Sequence, residues 1–269
     1  MVERINEVYK DVDFCITYFM RRKGLDRLIK SIRTHYPRAD ITIANQSKET
    51  LDHLRDVTIL NLPFDFGVSG CRNYLVKNTT KPYLLLLEED FIFNDRTDIK
   101  ILKELLQVEK NVGVVGGLVK ENGQDINFEQ YFTIKGRTLE HIYDGDFYLK
   151  YRNIPYKETG SVLNFALFKR EVFSDIAWDE ELKLAEHTDF YYRLQKMKWK
   201  VLYTNYIYLD TLKDVNTKEY KVFKTRDDFK KKLFDKYDID TIEYANGYQV
   251  KYDRINNIII KGRNLWKKY

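Results

Sequence analysis

The feature that most constrains this chain is the run "KPYLLLLEEDFIFND" from Lys81 to Asp95. Four consecutive leucines belong in a buried element, and the short bounded run suits a strand. The run breaks at once into Glu88, Glu89 and Asp90, then turns apolar again at Phe91, Ile92 and Phe93. Three adjacent carboxylates repel one another unless a cation or protons relieve them. The stretch therefore reads as a buried strand ending at an acidic site, against the alternative of a solvated strand end.

The sequence around it alternates between strand and helix patterns. "VDFCITYF" (12–19) is a buried strand, and "KGLDRLIKSIRTHYP" carries Leu25, Leu28, Ile29 and Ile32 at helical spacing, with Pro37 as a stop. "ADITIANQS" and "VTILNLP" are strands, with "KETLDHLRD" as a short helix between them. "GVSGCRNYLVKNTT" opens with glycines and continues as a helix, and "DIKILKELLQVEKN" and "VGVVGGLV" give a further helix and strand. This order predicts an α/β fold, a mostly parallel central sheet flanked by helices. Ligands of such sheets bind beyond the carboxyl ends of the strands. Three of those ends are polar or charged here: Thr17-Tyr18, Asn45-Gln46 and Glu88-Glu89-Asp90.

From about Glu121 to Lys157 the pattern loosens into short aromatic strands, read as an inserted layer bordering the site. "SVLNFALFKREVF" resumes core character, "EHTDFYYRLQKMKW" is a helix and "KVLYTNYIYL" a late strand. The expected organisation is a domain over 1–212, with a nucleotide-binding half at about 10–120 and an acceptor half at about 121–212. A helical, basic extension then covers 213–269.

The 269 residues include 43% hydrophobic ones, enough for a sizeable core. Cys15 and Cys71 belong to no CxxC pair, so structural zinc is not expected. The N-terminus lacks the apolar run of a signal peptide, and no window approaches the roughly 18 apolar residues of a membrane span. The expected location is cytoplasmic, peripheral at the inner membrane face if the tail docks there. The net charge of +5 sits in residues 250–269, which hold six Lys/Arg against one acid. That tail, with Ile258 to Ile260 and Trp266, either packs on the body or docks at an anionic membrane face. Nucleic-acid binding is not expected of a charge confined to one short segment.

Three elements carry chemistry. In the acidic triplet, Glu88 and Asp90 share a strand face while Glu89 points away, which makes Asp90 the candidate metal ligand. In "FGVSGCRNYLV", glycines at a helix start expose backbone N–H groups to an anion. Arg72 is placed there for a phosphate or an acid of the site, with Asn73 beside it. In "LAEHTDFYYRL", Asp189 is either a base or a complement to the helix dipole, and His187 either a metal or phosphate contact or a structural histidine.

The three elements, in this order, resemble GT-A glycosyltransferases of the family 2 type, nearest the β-1,4-N-acetylgalactosaminyltransferase-like branch. The likeness rests on "GVSGCRNYLVKNTTKPYLLLLEEDFIF", "VVGGLV", "VLNFALFKR" and "AEHTDFYYRL" and runs from about residue 12 to 210. It implies a GT-A, Rossmann-like fold. It implies that Glu88-Glu89-Asp90 stands at the DxD position with Asp90 on Mn²⁺ or Mg²⁺. Thr17, Tyr18, Asn45 and Gln46 then border the nucleotide, with Arg21 among the donor contacts. Arg72 and Asn73 support the donor, Asn164 and Phe165 shape the sugar site, and Asp189 is the base. Two departures stand out. The first DxD acid is Glu88, and Asp210 and Thr211 replace a late histidine, a gap that Asp210 or His187 would fill.

The reaction implied is an inverting transfer of a hexose or N-acetylhexosamine from a UDP-sugar to a hydroxyl of a surface glycan, such as capsule or lipopolysaccharide. The acceptor is a glycan or a lipid-linked glycan. A sugar- or nucleotide-binding module without catalysis and a nucleotidyltransferase are the alternatives.

Overall fold

The structure, a computed structural model, describes residues 9–126, 128–143, 145, 148–213 and 217–263. Strands β1 (Val12–Tyr18), β2 (Asp40–Asn45), β3 (Val57–Asn61) and β4 (Tyr83–Glu88) form a parallel half-sheet in the order β3-β2-β1-β4. All seven residues of β1 are buried, as expected of a strand covered on both faces. Helix α1 (Arg22–His35) links β1 to β2 and buries Leu25, Leu28, Ile29 and Ile32, the i, i+3, i+4, i+7 stripe of an amphipathic helix. Helix α2 (Val68–Asn78) leads into β4.

After β4 come the short β5 (Phe91–Ile92), helix α3 (Ile99–Leu106), β6 (Val112–Glu121) and β7 (Gln124–Ile126). The Asp98 side chain caps α3 by accepting from the Lys100 amide. Then follow β8 (Gln130–Lys135), β9 (Thr138–Tyr143), β10 (Leu149–Tyr151), β11 (Ile154–Thr159) and β12 (Ala166–Lys169). Helix α4 (Glu186–Leu194) precedes β13 (Lys200–Thr211), which completes the main sheet of order β10-β11-β13-β6-β12-β4-β1-β2-β3, with β5 paired to β13 and β7 to β6. Its second half is mixed, because β12 runs antiparallel between β4 and β6.

Alternation along β4 divides the core. Leu85 and Leu87 pack with α1 and α3, whereas Leu84 and Leu86 pack with Cys15, Leu75 and Phe190 on the other face. Cys15 and Cys71 are buried and unpaired.

Two expectations are corrected. The segment 48–56 forms turns, not a helix. Leu51 is its one buried apolar side chain, too little to hold a helix against the sheet edge. The segment beyond 212 is not simply helical. It holds α5 (Lys218–Lys224) and α6 (Asp228–Lys236), then β14 (Thr241–Glu243), β15 (Tyr248–Asp253) and β16 (Ile258–Arg263). These strands join β8 and β9 in a five-stranded sheet of order β16-β15-β14-β9-β8. Gly247, at φ 77°, makes the turn between β14 and β15. The basic tail is therefore strand as far as Arg263, and Trp266, Lys267 and Lys268 lie outside the described residues.

The glycine pair in β6 has a packing cause. A Cβ on Gly117 would meet the Phe165 ring at 2.4 Å. Phe165 is fully buried and packs on Phe93, so it is a core residue and not part of a sugar site. Gly117→Ala is expected to lower the unfolding free energy by about 1–3 kcal/mol in urea titrations. Gly262→Ala, with open space around its Cβ, is expected to change it by less than about 0.5 kcal/mol.

Candidate active site

The register of the parallel half brings the polar strand ends to one edge. Thr17 lies opposite Glu88, Tyr18 opposite Asn45, and Asn45 opposite Asn61. A cavity of about 250 Å³ opens beyond that edge. Thr17, Gln46, Arg72, Glu88 and Glu89 line it from the half predicted by sequence, and Arg21 joins them.

The acidic triplet does not keep strand alternation, because β4 ends at Glu88 and the next two residues turn. Glu88 faces the cavity and accepts a hydrogen bond from the Asn164 amide. Glu89, expected to point away, also lines the cavity, held by Arg21 Nε at 3.0 Å and by the Phe19 backbone N–H at 3.2 Å. Arg21 reaches Asp90 Oδ2 as well, so one guanidinium spans two carboxylates. All three side chains are almost fully buried. The ring of Tyr220 lies 4.6 Å from that guanidinium. Burial raises the Asp90 carboxyl to about 6, against the pull of Arg21 and with the push of Glu88 and Glu89.

Asp90 Oδ1 is buried with no hydrogen-bond partner. A partnerless carboxylate oxygen two residues from Glu88 is the kind of donor a hard cation takes. Mg²⁺ or Mn²⁺ needs only one or two carboxylates when phosphates supply further oxygens. Among the described residues no cluster of three His, Cys, Asp or Glu side chains forms a closed protein cage. The late departure is also resolved. Thr211 Oγ1 donates to the Asp90 backbone carbonyl at 3.3 Å, whereas Asp210 accepts from the Asn94 amide and is not directed at the triplet.

Helix α2 starts at the cavity, with Gly67 and Val68 on its wall. Gly67 adopts φ 104°, and a Cβ there would meet the Lys183 stem at 2.6 Å. Its N–H donates to Gln46 Oε1 at 2.7 Å, which fixes Gln46 at the edge. Arg72 donates to Glu186 Oε1 at 2.8 Å, a pair that is almost wholly buried.

Several predicted residues lie elsewhere. The Tyr18 hydroxyl donates to Glu49 at 2.7 Å, and Asn45 bonds the Glu49 carbonyl and Asn61, so both order the loop that carries Gln46. Asn73 exchanges hydrogen bonds with the Trp178 backbone and donates to Glu180, tying α2 to the following layer. Asp189 is completely buried and does not line the cavity. Its carboxylate takes Arg193, Lys236 and the Tyr237 hydroxyl at 2.6–2.9 Å. His187 packs edge-on against Phe128 and beside Tyr191 and is not among the residues that line the cavity, with Nε2 unpartnered. Burial and the Arg72 cation push it down to about 3, so it stands as a neutral histidine in the core.

The acid of α4 that does face the cavity is Glu186. Burial raises its carboxyl while Arg72 opposes. The helix begins at Glu186, and its packing turns Glu186 toward the cavity while Asp189 is buried against Arg193, Lys236 and Tyr237.

Sequence reasoning also missed the contribution of the C-terminal segment. Tyr220, Phe223, Lys224 and Arg226 close one side of the cavity. Phe223 packs on Phe19 and Phe64 with ring centroids 5.2 and 5.5 Å away, and Arg226 holds Asp65 through two 2.7 Å bonds. The signal was present in "KEYKVFK", where Tyr220 and Phe223 stand at i, i+3 among lysines.

His141, like His187, is buried neutral, pushed by burial down to about 4. A histidine whose folded pKa lies below its unfolded value stabilises above the unfolded pKa, near 6.5, and loses that contribution as pH falls toward the folded value. The unfolding free energy is therefore expected to fall between pH 6 and 5. In His141→Gln the slope is expected to be shallower by about 1 kcal/mol per pH unit, as read by denaturant titrations at several pH values.

Comparison with known proteins follows the same outline. The pattern of glycosyl transferase family 2 matches residues 13–177. The chain is 30% identical over 174 residues to β-1,4 N-acetylgalactosaminyltransferase 2 of Mus musculus, across 64% of this chain and 34% of that protein. It is 27% identical over 188 residues to β-1,4 N-acetylgalactosaminyltransferase 1 of Homo sapiens, with the same coverage of 64% and 34%. The chain thus aligns with about a third of the length of these curated relatives. Among solved structures, S. aureus TarS 1-349 in complex with UDP superposes with a TM-score of 0.55 at 16% identity, over 75% of this chain and 60% of that one. GalNAc-T7 with UDP, GalNAc and Mn2+ gives 0.54 at 12% identity, over 75% and 43%. At these identities the likeness is one of fold.

Proposed function

Because the chain belongs to glycosyl transferase family 2, we propose that it moves a hexose or N-acetylhexosamine from a UDP-sugar to a hydroxyl of a glycan acceptor. The observation that carries the reading is one cavity walled by the acidic strand end on one side and by Glu186 on another. The first offers carboxylate oxygens for a cation that would meet the diphosphate, and the second a proton acceptor. The names of the relatives, N-acetylgalactosaminyltransferases and proteins solved with UDP, support the same donor class.

In this reading Thr17 and Gln46 border the nucleotide at the strand edge. The first N–H groups of α2 and the cations Lys224 and Arg226 face the diphosphate. Glu88 and Asp90 Oδ1 would hold a divalent cation, which when bound neutralises charge on the departing diphosphate. Arg21 orients both lower carboxylates and keeps their repulsion in check. Glu186, held by Arg72, takes the proton of the acceptor hydroxyl. The acceptor oxygen then bonds to the anomeric carbon as the bond from that carbon to the diphosphate oxygen breaks. The nucleoside diphosphate leaves, and a single displacement inverts the anomeric centre.

A surface glycan carried on a lipid is the acceptor we favour, of the capsule or lipopolysaccharide kind. What supports it is the β15–β16 hairpin, where Ile255 is 95% exposed and Ile258 and Ile260 about half exposed, beside Lys251 and Arg254. An apolar tip among basic side chains suits an anionic membrane face. Among the described residues no helix is long and apolar enough to cross a membrane.

Glu186→Gln is expected to lower UDP-sugar turnover by about 100-fold or more while UDP binding by calorimetry stays within about threefold. Near-normal turnover in that variant removes Glu186 as the base. Asp189→Asn is expected to lower thermal stability instead, with turnover per folded molecule retained.

UDP binding by the unaltered protein is expected to weaken about tenfold when a chelator replaces Mn²⁺, and binding in Mn²⁺ to weaken about as much in Asp90→Asn and in Glu88→Gln. Unchanged affinity in all three cases removes the cation role.

A further inference from the structure

A second cavity, of about 260 Å³, lies against the five-stranded sheet. Phe128, Glu129 and Gln130 at the entry to β8, Tyr143 at the end of β9, and Tyr244 and Asn246 at the β14–β15 turn line it. None of these residues lines the donor cavity. Its walls combine three aromatic rings with a carboxylate and two amides. A concave site with apolar faces and a few placed polar groups is the usual form of a small-molecule site.

The polar groups are built in, not left at a solvated rim. Glu129 is 4% and Gln130 9% exposed. Glu129 Oε2 accepts from the Phe128 N–H at 2.9 Å, and its other oxygen lies 3.6 Å from the buried Lys157 ammonium. Gln130 Oε1 lies 3.2 Å from His141 Nδ1. An amide oxygen only accepts, so Nδ1 carries the proton and Nε2 is a bare acceptor. That Nε2 is buried and has no partner. What Gln130 then offers a ligand is its amide nitrogen, because its oxygen is committed.

The chemistry matches a pyranose. A sugar ring has an apolar C–H face, which lies on aromatic rings, and a rim of hydroxyls that both donate and accept. Glu129 accepts from hydroxyls, and the amide nitrogens of Gln130 and Asn246 donate to them, their oxygens being held by His141 and by the Tyr248 N–H. The volume has room for a single sugar residue. Position points the same way. Phe128, which lines this cavity, packs on His187 with ring centroids 4.7 Å apart, and the next residue back is Glu186. We infer that this cavity is a subsite for one sugar unit of the acceptor glycan, set beyond the base on the five-stranded sheet. Its assignment to the acceptor rests on the transferase reading, whereas its capacity to hold a sugar does not.

The test uses the full chain with saturating UDP and Mn²⁺, so that the donor cavity is filled. Saturation-transfer NMR is run with the methyl β-glycosides of galactose, glucose, N-acetylglucosamine and N-acetylgalactosamine. At least one glycoside is expected to give a transfer signal, reduced about fivefold or more in both Tyr143→Ala and Asn246→Ala. Both positions are near the surface, and far-UV circular dichroism checks their folding. UDP release from the UDP-sugar without acceptor is expected to stay within about twofold in both variants. Absence of any signal in the unaltered protein overturns the inference, as does a signal that neither variant diminishes. UDP release in the unaltered protein is read separately. Its absence removes the transferase reading, while a mapped glycoside signal still upholds the cavity as a sugar site.

Discussion

The arrangement turns on one guanidinium. Arg21 sits where β1 passes into α1 and bonds Glu89 and Asp90 at the end of β4, beneath the ring of Tyr220 from α5. Three adjacent carboxylates at the end of a buried strand repel one another, and a buried charge without a partner is costly. Arg21 relieves that repulsion from within the chain. It also leaves one oxygen of Asp90 and the whole of Glu88 uncommitted to any cation of the protein. The site is thus neutralised enough to fold yet keeps acidic oxygens in reserve for a ligand. The same contact draws three distant parts of the chain, residues 21, 89–90 and 220, to one point.

Around that point the fold separates two tasks. The parallel half-sheet delivers strand ends to a common edge, and the mixed half with its second sheet builds the opposite wall. The buried Arg72–Glu186 pair connects them, joining the helix that opens beside the donor cavity to the helix that carries the acid. Asn73, one residue on, ties the same helix to the Trp178 backbone. Neighbouring side chains of α2 thereby fix where α4 stands.

The legible part of this structure was the part written in local periodicity. The run 84–87, the 25/28/29/32 stripe and the strand ends at Thr17, Gln46 and Glu88 follow from residue pattern and from the rule that places ligands at carboxyl ends. What could not be read depended on partners far along the chain. Tyr18 and Asn45 have the composition of ligand contacts, but Glu49 and Asn61 claim them. Asp189 and Glu186 are three residues apart on a helix, and only the distant partners decide which reaches the cavity, Lys236 and Tyr237 holding Asp189 in the core while Glu186 lines it. The role of Tyr220 to Arg226 was hidden because nothing local ties that segment to the β1 edge. The extended character of 248–263 was masked because only its first strand alternates, with Lys251 between Val250 and Tyr252, whereas in the second the outward positions beside Ile259 are the exposed Ile258 and Ile260.

The parallel pairing of β14 with β9 sets the order in which the molecule can be completed. The two strands are about a hundred residues apart, and closing so long a loop is entropically slow. On a ribosome the half-sheet β1–β4 and its helices have emerged and can pack well before β14 is made, since growth is from the N-terminus. Until then the face that β8 and β9 present to β14 remains uncovered, and the wall formed by Tyr220 and Phe223 is itself made only shortly before β14. Binding competence therefore waits on segments made long after the half-sheet that carries the acidic strand end.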